Sequence, residues 1–405
     1  MQNYDQDKAG EIIREFDHVA GSRTNWESHW QEIADRIMPS QNVGFNTKTD
    51  KYITEGAKKT EYIYDSAPSS ALNRFASILD SLLTPRNSMW HKLIASDIGL
   101  NKDRETVLWF EEVNRLLSKY RYAPSANFSS QNQQVYKSLG AFGTGALYID
   151  NLYNGPGLRY KAIHLRELFF VENHQGMVDK VMRHFPLTAR QCWQKFGEKC
   201  SKKMKDTLKT EPDKIFWVLH AVMPNSDMDI QRLDYKGMKY SSYYICMDDK
   251  CIMEEGGYNT FPYATSRYEQ SPGELYGRSP AMEVLPAIKT LYEQKKTSLT
   301  QGHRAVNPII LLGDDGNLSL KPGSLNYGMM SSDGRPLASV LPTGNYQIAL
   351  EMMDTERAAI NDAFLVSLFQ ILTETGTMTA TEVLERTREK GILLAPTLGR
   401  QQSEY

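Results

Sequence analysis

One long helical pattern constrains this chain more than any other feature of the sequence. It begins at Ser279-Pro280, where a serine suits a helix N-cap and a proline suits the first helical position. An apolar stripe at helical spacing follows, made of Ala281, Val284, Leu285, Ile288, Leu291 and Tyr292. The pattern runs to about residue 303, with a kink expected at Pro286. It ends at a patch rich in glycine and proline that holds nothing obviously reactive.

Helical patterns also dominate the first third of the chain. Apolar residues recur there at spacings of three, four and seven residues, as amphipathic helices require. The predicted helices cover residues 8–38, 66–83, 103–122 and 126–139. The last of them is expected to end at Gly140 in a left-handed cap.

From Gly145 the pattern changes to short runs rich in β-branched and aromatic residues, which indicate strands. These strands and one lysine-rich helix, from Thr188 to Thr210, form a mixed unit over about residues 141–268. One pair of strands is predicted to be a hairpin that turns at Asp248-Asp249.

Residues 307–345 are predicted to form a small insert of short strands and turns that separates two helices. The second of these helices begins near Gln347, and a third is predicted from Thr379 to Glu389. The predicted fold class is therefore α+β, and no repeat of 20–50 residues suggests a solenoid.

Composition narrows the functional classes. A chain of 405 residues is too long for one ordinary core, and it favours two or three packed units. The net charge of −2 argues against a broadly basic surface that grips nucleic acid. The four cysteines lack the C-x-x-C spacing of a zinc site and are interpreted as reduced cytosolic thiols. No secretory signal or membrane-spanning run is predicted.

No set of catalytic residues can be assembled from the sequence. Ser279 lies in GRSPA, which resembles the nucleophile elbow of serine hydrolases but lacks its last glycine. A hydrolase that uses Ser279 is therefore kept as the alternative to the N-cap. Asp227 and Asp229 could hold a metal, although a solvated turn is the simpler interpretation. GAFGTG, at residues 140–145, lacks the lysine of a phosphate loop. We predict no catalytic residue, no metal ligand and no cofactor, and hence no enzyme.

Two long stretches resemble the portal, or head-to-tail connector, proteins of short-tailed bacteriophages. They are YDSAPSSALNRFASILDSLLTPRNSMWHKL at 64–93 and YGRSPAMEVLPAIKTLYEQKKTSLTQGHRAVNPIIL at 276–311. Supporting matches are W-x-x-I-x-x-x-I-M-P at 30–39, GAFGTGALYI at 140–149 and TATEVLERTREKGILLAPTLGRQQSEY at 379–405. The resemblance spans essentially the whole chain, and motifs of this length are far more specific than the short patterns above.

The resemblance implies a phage portal fold with an α/β wing, a two-helix stem, a small α/β clip, a tunnel loop and a long wing helix. The implied parts are the wing (1–275), the first stem helix (276–306), the clip (307–345), the second stem helix (346–367), the tunnel loop (368–378) and the wing helix (379–405). Portal proteins normally continue into a helical crown, which is absent here because the sequence ends at Tyr405. A truncated chain and a natural absence of the crown remain the two explanations.

The implied function is a ring, usually of twelve copies, at one capsid vertex of the virion. Double-stranded DNA would be packaged and ejected through this ring without sequence specificity. The implied partners are the major capsid and scaffolding proteins, the terminase and then tail adaptor proteins, with assembly in the host cytoplasm and no membrane. A helix of about 24 residues would be about 36 Å long, which suits a channel wall. A sequence-specific DNA-binding protein is a third hypothesis, which the low charge disfavours.

Two sets of residues are candidate contact sites under this resemblance. The candidates that would face DNA in the tunnel loop are Gln370, Thr373, Glu374, Thr375 and Thr377. They are polar but hold phosphate poorly, and the alternative for this segment is a disordered connector. The candidates for partner docking in the clip are Asp314, Asp315, Asn317, Lys321, Asp333 and Arg335.

Overall fold

The computed structural model describes residues 2–45, 56–312, 318–341, 346–367 and 399–404, except Asn87, Ile98, Asn154, Pro322 and Gln402. The helices of this part are α1 (Gln2–Ser22), α2 (Thr24–Arg36), α3 (Ala67–Leu83), α4 (Arg104–Arg121), α5 (Phe128–Phe142), α6 (Ala189–Phe196), α7 (Lys202–Thr210), α8 (Pro280–Glu283), α9 (Leu285–Val306) and α10 (Tyr346–Ala363). The strands are β1 (Thr144–Asn151), β2 (Leu158–Ile163), β3 (Leu168–Glu172), β4 (Val178–Thr188), β5 (Ile215–Pro224), β6 (Tyr240–Cys246), β7 (Cys251–Tyr258), β8 (Tyr263–Arg267), β9 (Ile310–Leu312) and β10 (Ala338–Val340). The α+β class is confirmed.

The strands form antiparallel sheets. Five strands pair in the order β3-β4-β5-β6-β7, and three more pair in the order β2-β1-β8. Strands β9 and β10 pair with each other in the insert. The hairpin predicted around Asp248-Asp249 is confirmed as the connection between β6 and β7.

The five-stranded sheet lies between two helical layers because its strands alternate. Along β5, Phe216 and Val218 pack with α6 and α7 on one face. Leu219 and Ala221 pack with α1 on the other face. Successive side chains of a strand point to opposite faces, so one strand contributes to two cores. A third and larger core joins α2, α3, α5, α8, α9 and α10.

The four helical stretches predicted in the first third are confirmed, and the first of them holds two helices, α1 and α2. Two other predictions are wrong. Helix α5 does not end at Gly140; it continues to Phe142, and Gly143 is the residue with left-handed backbone, at φ +73°. Gly140 lies inside the helix, where a Cβ would be 2.7 Å from the Phe75 ring. The predicted single helix from Thr188 to Thr210 is two helices, α6 and α7. Gly197, with a positive φ, ends the first, and Ser201 caps the second by accepting a hydrogen bond from Met204 N.

The long helical pattern is confirmed as α8 and α9. The helix breaks at Val284, since Pro286 has no N–H to donate to the carbonyl four residues earlier. Helix α10 packs against α9 after the chain reverses through the insert. We call α9 and α10 the helix pair. At 1.5 Å per residue, the 22 residues of α9 are about 33 Å long.

Candidate functional site at the base of the helix pair

Two glycine-containing segments cross where α5 ends and the helix pair begins. The carbonyl of Gly143 accepts a hydrogen bond from Tyr268 N at 2.8 Å, and Gly277 N donates to Thr144 Oγ1 at 2.9 Å. A Cβ built at Gly143 would overlap the carbonyl oxygen of Gly277, and a Cβ at Gly277 would overlap that of Gly143. The two backbones can therefore approach this closely only because both residues are glycine.

Ser279 is the N-cap of α8, as the sequence predicts. Its Oγ accepts a hydrogen bond from Met282 N at 3.1 Å and donates one to the carbonyl of Ala141 at 2.8 Å. The side chain is buried. Both partners are backbone groups, so the serine ties the start of the helix pair to the end of α5. This geometry gives no support to the hydrolase alternative, which needs an exposed serine beside a base.

Three side chains fasten the lower half of the helix pair to α2 and to the turn before α3. Tyr292 donates from its hydroxyl to the carbonyl of Arg36 at 2.6 Å. Lys289 forms an ion pair with Glu32 at 2.5 Å, and Arg357 of α10 pairs with the buried Asp65 at 2.7 Å. Burial opposes the charge of Asp65, but hydrogen bonds from Arg357 and from the Ala67 amide hold the pKa of Asp65 below its ordinary value. The base is thus fixed by contacts between segments that lie far apart in the sequence.

Among the described residues, nothing covers several apolar side chains in the upper half of the helix pair. Leu299 and Val306 of α9, with Ile348 and Met352 of α10, are between 50% and 88% exposed. The lower half, in contrast, contributes Ile288, Leu291 and Ile360 to the core, and Met353, near the middle of α10, is also buried there. The described part of the upper half therefore presents apolar surface to its surroundings.

The end of the described chain returns to the three-stranded sheet. Arg267 is buried at the end of β8, where it pairs with Glu172 and with Glu404. The backbone N–H of Arg267 also donates to Glu404 at 2.9 Å. Ser266 donates to the side chain of Gln401 at 2.5 Å. These contacts hold residues 399–404 against β8, the edge strand from which the chain continues to Gly277.

The predicted contact residues fall in different places. Lys321, Asp333 and Arg335 are exposed in the insert, with Asp333 and Arg335 in one turn closed by the hydrogen bond from Ser331 N to the Arg335 carbonyl. Asp314, Asp315 and Asn317 lie outside the described residues, as do all five tunnel-loop candidates, Gln370, Thr373, Glu374, Thr375 and Thr377. The helix predicted from Thr379 to Glu389 lies outside them as well.

The described side chains give no indication of a metal site. No group of three or more metal-ligating residues comes together among the residues that the structure places. Asp227 and Asp229 are exposed and accept no more than local turn contacts, such as Gln231 N to Asp229 at 3.1 Å. His164 is held between the carbonyl of Gln41 and the amide of Arg166, and burial lowers its pKa to about 4. None of the helices in the placed ranges is long and apolar enough to span a bilayer.

A family model described as bacteriophage head to tail connecting protein matches residues 9–405 of the chain. The chain belongs to this family. The resemblance drawn from the two long motifs is therefore confirmed. The connector is a structural protein of the phage head-to-tail junction rather than an enzyme.

Two named relatives match the connector over 97% of its length. One is a probable portal protein of Bordetella phage BPP-1 and the other is a portal protein of Salmonella phage epsilon15. Each is 27% identical to the connector, which covers 71% of either relative.

Solved structures of a gene transfer agent particle are also partly similar to the connector. The neck of the native particle computed with C12 symmetry gives a TM-score of 0.36 at 13% identity, over 71% of this chain and 68% of that chain. The virion of the native particle gives 0.35 at 14% identity, over 69% and 66%.

Sequence reasoning found some residues of this site and missed others. Ser279 and Pro280 were predictable because capping acts within one helical turn. The partners of Gly277 and Arg357 were not, because each partner lies in a distant part of the sequence. The signal that was present is the spaced glycines of GAFGTG, which mark a close backbone approach.

Proposed function

We propose that the connector is the subunit of a portal ring at one capsid vertex, through which double-stranded DNA is packaged and ejected. Under this proposal residues 276–306 and 346–367 are the two stem helices, residues 307–345 are the clip, residues 368–378 are the tunnel loop and residues 379–405 are the wing helix. Everything before residue 276 is the wing. The printed names of the two portal relatives support this proposal.

The uncovered upper half of the helix pair carries the proposal. Leu299, Val306, Ile348 and Met352 are at least half exposed, and exposed apolar area of this kind costs about 25 cal/mol for each Å² left in water. Neighbouring copies that stand side by side would cover these side chains. Such a row closes into a ring when the rotation between copies divides the full circle.

The charge of the stem and clip is compatible with DNA that slides. From Pro280 to Val366 the chain has seven Lys and Arg against nine Asp and Glu, a net of −2 per copy. A protein that neutralises many phosphates binds DNA tightly and in a salt-dependent way. A channel built from this segment would repel phosphate weakly, and the polar candidates Gln370, Thr373, Glu374, Thr375 and Thr377 would line it without gripping.

The clip would dock the terminase during packaging and tail adaptor proteins afterwards. Lys321, Asp333 and Arg335 are exposed there, and Asp314, Asp315 and Asn317 complete the candidate set by sequence. The capsid and scaffolding proteins would meet the ring in the host cytoplasm during assembly.

Native mass spectrometry of the full chain tests the ring. A ring of twelve would have twelve times the subunit mass of 46.2 kDa, and other ring sizes would give other multiples of that mass. Electron micrographs viewed along the ring axis should show a central opening wide enough for duplex DNA. A stable monomer at micromolar concentration, with no opening in any particle, would refute the proposal.

A further inference from the structure

Helix α4 has an apolar face that the residues described by the structure leave exposed. Trp109 is 61% exposed, and Leu116 and Tyr120 are 39% and 46% exposed. Their spacing of seven and four residues puts the three side chains on one face of the helix. Asn114 is the one fully buried residue of this 18-residue helix. We call the face that carries these three side chains the outer face of α4.

The opposite face of α4 is held by a short extended segment instead of a core. The side-chain amide of Asn114 accepts from Leu93 N at 2.7 Å and donates to the Leu93 carbonyl at 3.0 Å. Arg121 lies over the Trp90 ring at 4.8 Å, and Trp90 donates to the hydroxyl of Tyr122 at 2.8 Å. Because this segment lies against the opposite face, it does not cover the outer face.

The exposed apolar area is large enough for a permanent interface. Five large apolar side chains of residues 89–100 join the three of the outer face, and each is between 36% and 71% exposed: Met89, Trp90, Leu93, Ile94 and Leu100. At about 200 Å² for a large side chain, half exposure of these eight gives roughly 800 Å². About 300 Å² of this total belongs to the outer face and the rest to residues 89–100. A stable interface buries about 800 Å² on each partner, so an interface here needs both sets of side chains.

The same helix gains little stability from packing within one subunit. Most helical stability in proteins comes from burial of an apolar face, and α4 buries a single residue. A partner that covers the outer face throughout the life of the particle would supply what is missing. Residues 88–122 carry six Lys and Arg against five Asp and Glu, so an identical chain would not be repelled.

We propose that the outer face of α4 and the apolar side chains of residues 89–100 pack against a second copy of this chain. The proposal rests on the ring described above and assigns it a second zone of contact, separate from the helix pair. Permanent contacts between identical chains are more apolar than transient ones, which is why the occupant is a neighbouring copy rather than a capsid protein that arrives later.

Matched substitutions on α4 test this assignment in the full chain. Trp109→Glu with Leu116→Glu puts two carboxylates on the outer face. Leu108→Glu is the control, because Leu108 is also exposed but lies about 100° around the helix from Trp109 and about 120° from Asn114. Native mass spectrometry should show rings for the wild type and for the control, and a loss of at least tenfold in ring population for the double variant. Far-UV circular dichroism should be the same for all three.

A photo-cross-linking amino acid at position 120 supplies a second readout that does not depend on stability. Irradiation of the wild-type ring should give a species with the mass of two joined subunits. Rings that persist in the double variant, or a cross-linker that joins only a co-expressed capsid protein, would overturn the assignment while leaving the ring intact. A wild-type chain that forms no ring would instead overturn the proposed function, and this assignment with it.

Discussion

The crossing of Gly143 and Gly277 makes a sharp prediction for Gly143→Ala. An alanine there must hold a left-handed φ of +73°, which costs about 1–2 kcal/mol. Its Cβ must also displace the carbonyl of Gly277, a backbone atom that cannot rotate away, and overpacking of this kind costs about 1–3 kcal/mol. The expected loss in the free energy of unfolding is therefore about 2–5 kcal/mol.

Gly273→Ala is the matched control. Gly273 has a similar φ of +83° in the turn closed by Glu274 N and the Ser271 carbonyl, but a Cβ there would meet no atom within 4 Å. It should cost only the backbone term, about 1–2 kcal/mol. Urea unfolding followed by tryptophan fluorescence is a suitable assay, because the ring of Trp30 lies 5.0 Å from that of Tyr276, beside the crossing. Equal losses for the two variants would refute the close-approach argument.

Three further outcomes follow from the contacts described above. Arg267→Met should lower the free energy of unfolding by about 3 kcal/mol, since it leaves two partly buried carboxylates without their partner. It should also speed amide hydrogen exchange in residues 399–404, measured by mass spectrometry, and unchanged exchange there would contradict the docking. Ser279→Ala should lower stability by about 1 kcal/mol through the lost cap, measured by the same urea titration; a loss no greater than that of an exposed serine would count against this. The contribution of His164 to the free energy of unfolding should be fully present above pH 6.5 and should fall by about 2–3 kcal/mol towards pH 4. The reason is that the unfolded chain protonates His164 at a higher pH than the folded chain does. His164→Gln should flatten that part of the urea-midpoint profile, and a profile of unchanged slope would assign the pH dependence to other groups.

The sequence predicted the features that depend on neighbouring residues and not those that depend on contacts between distant segments. Helix starts such as Ser279-Pro280 and the strand runs of β4 and β5 were predictable because caps and alternation act within a few residues. The five residues of β8, YATSR, carry no strong strand signal and gain their order from pairing with β1.

The break between α6 and α7 was also not predicted from the sequence. The lysine-rich run from Thr188 to Thr210 keeps helical spacing throughout, yet Gly197 and Ser201 supply a stop and a new start. Glycine and serine are tolerated inside helices at a cost of up to about 1 kcal/mol, so their presence alone does not end a predicted helix. For the candidate site, the single residues of its base were visible in the sequence, but the pairing of distant segments was not.

The docking of Glu404 on Arg267 has a mechanical consequence. Between Arg267 and Leu285 the chain is fastened first to the returning tail and then, through Tyr268 and Gly277, to the end of α5. A force on residues 399–404 and a tilt of α9 would therefore both act on the short segment from Arg267 to Leu285. A displacement at one end of this segment would therefore be transmitted to its other end.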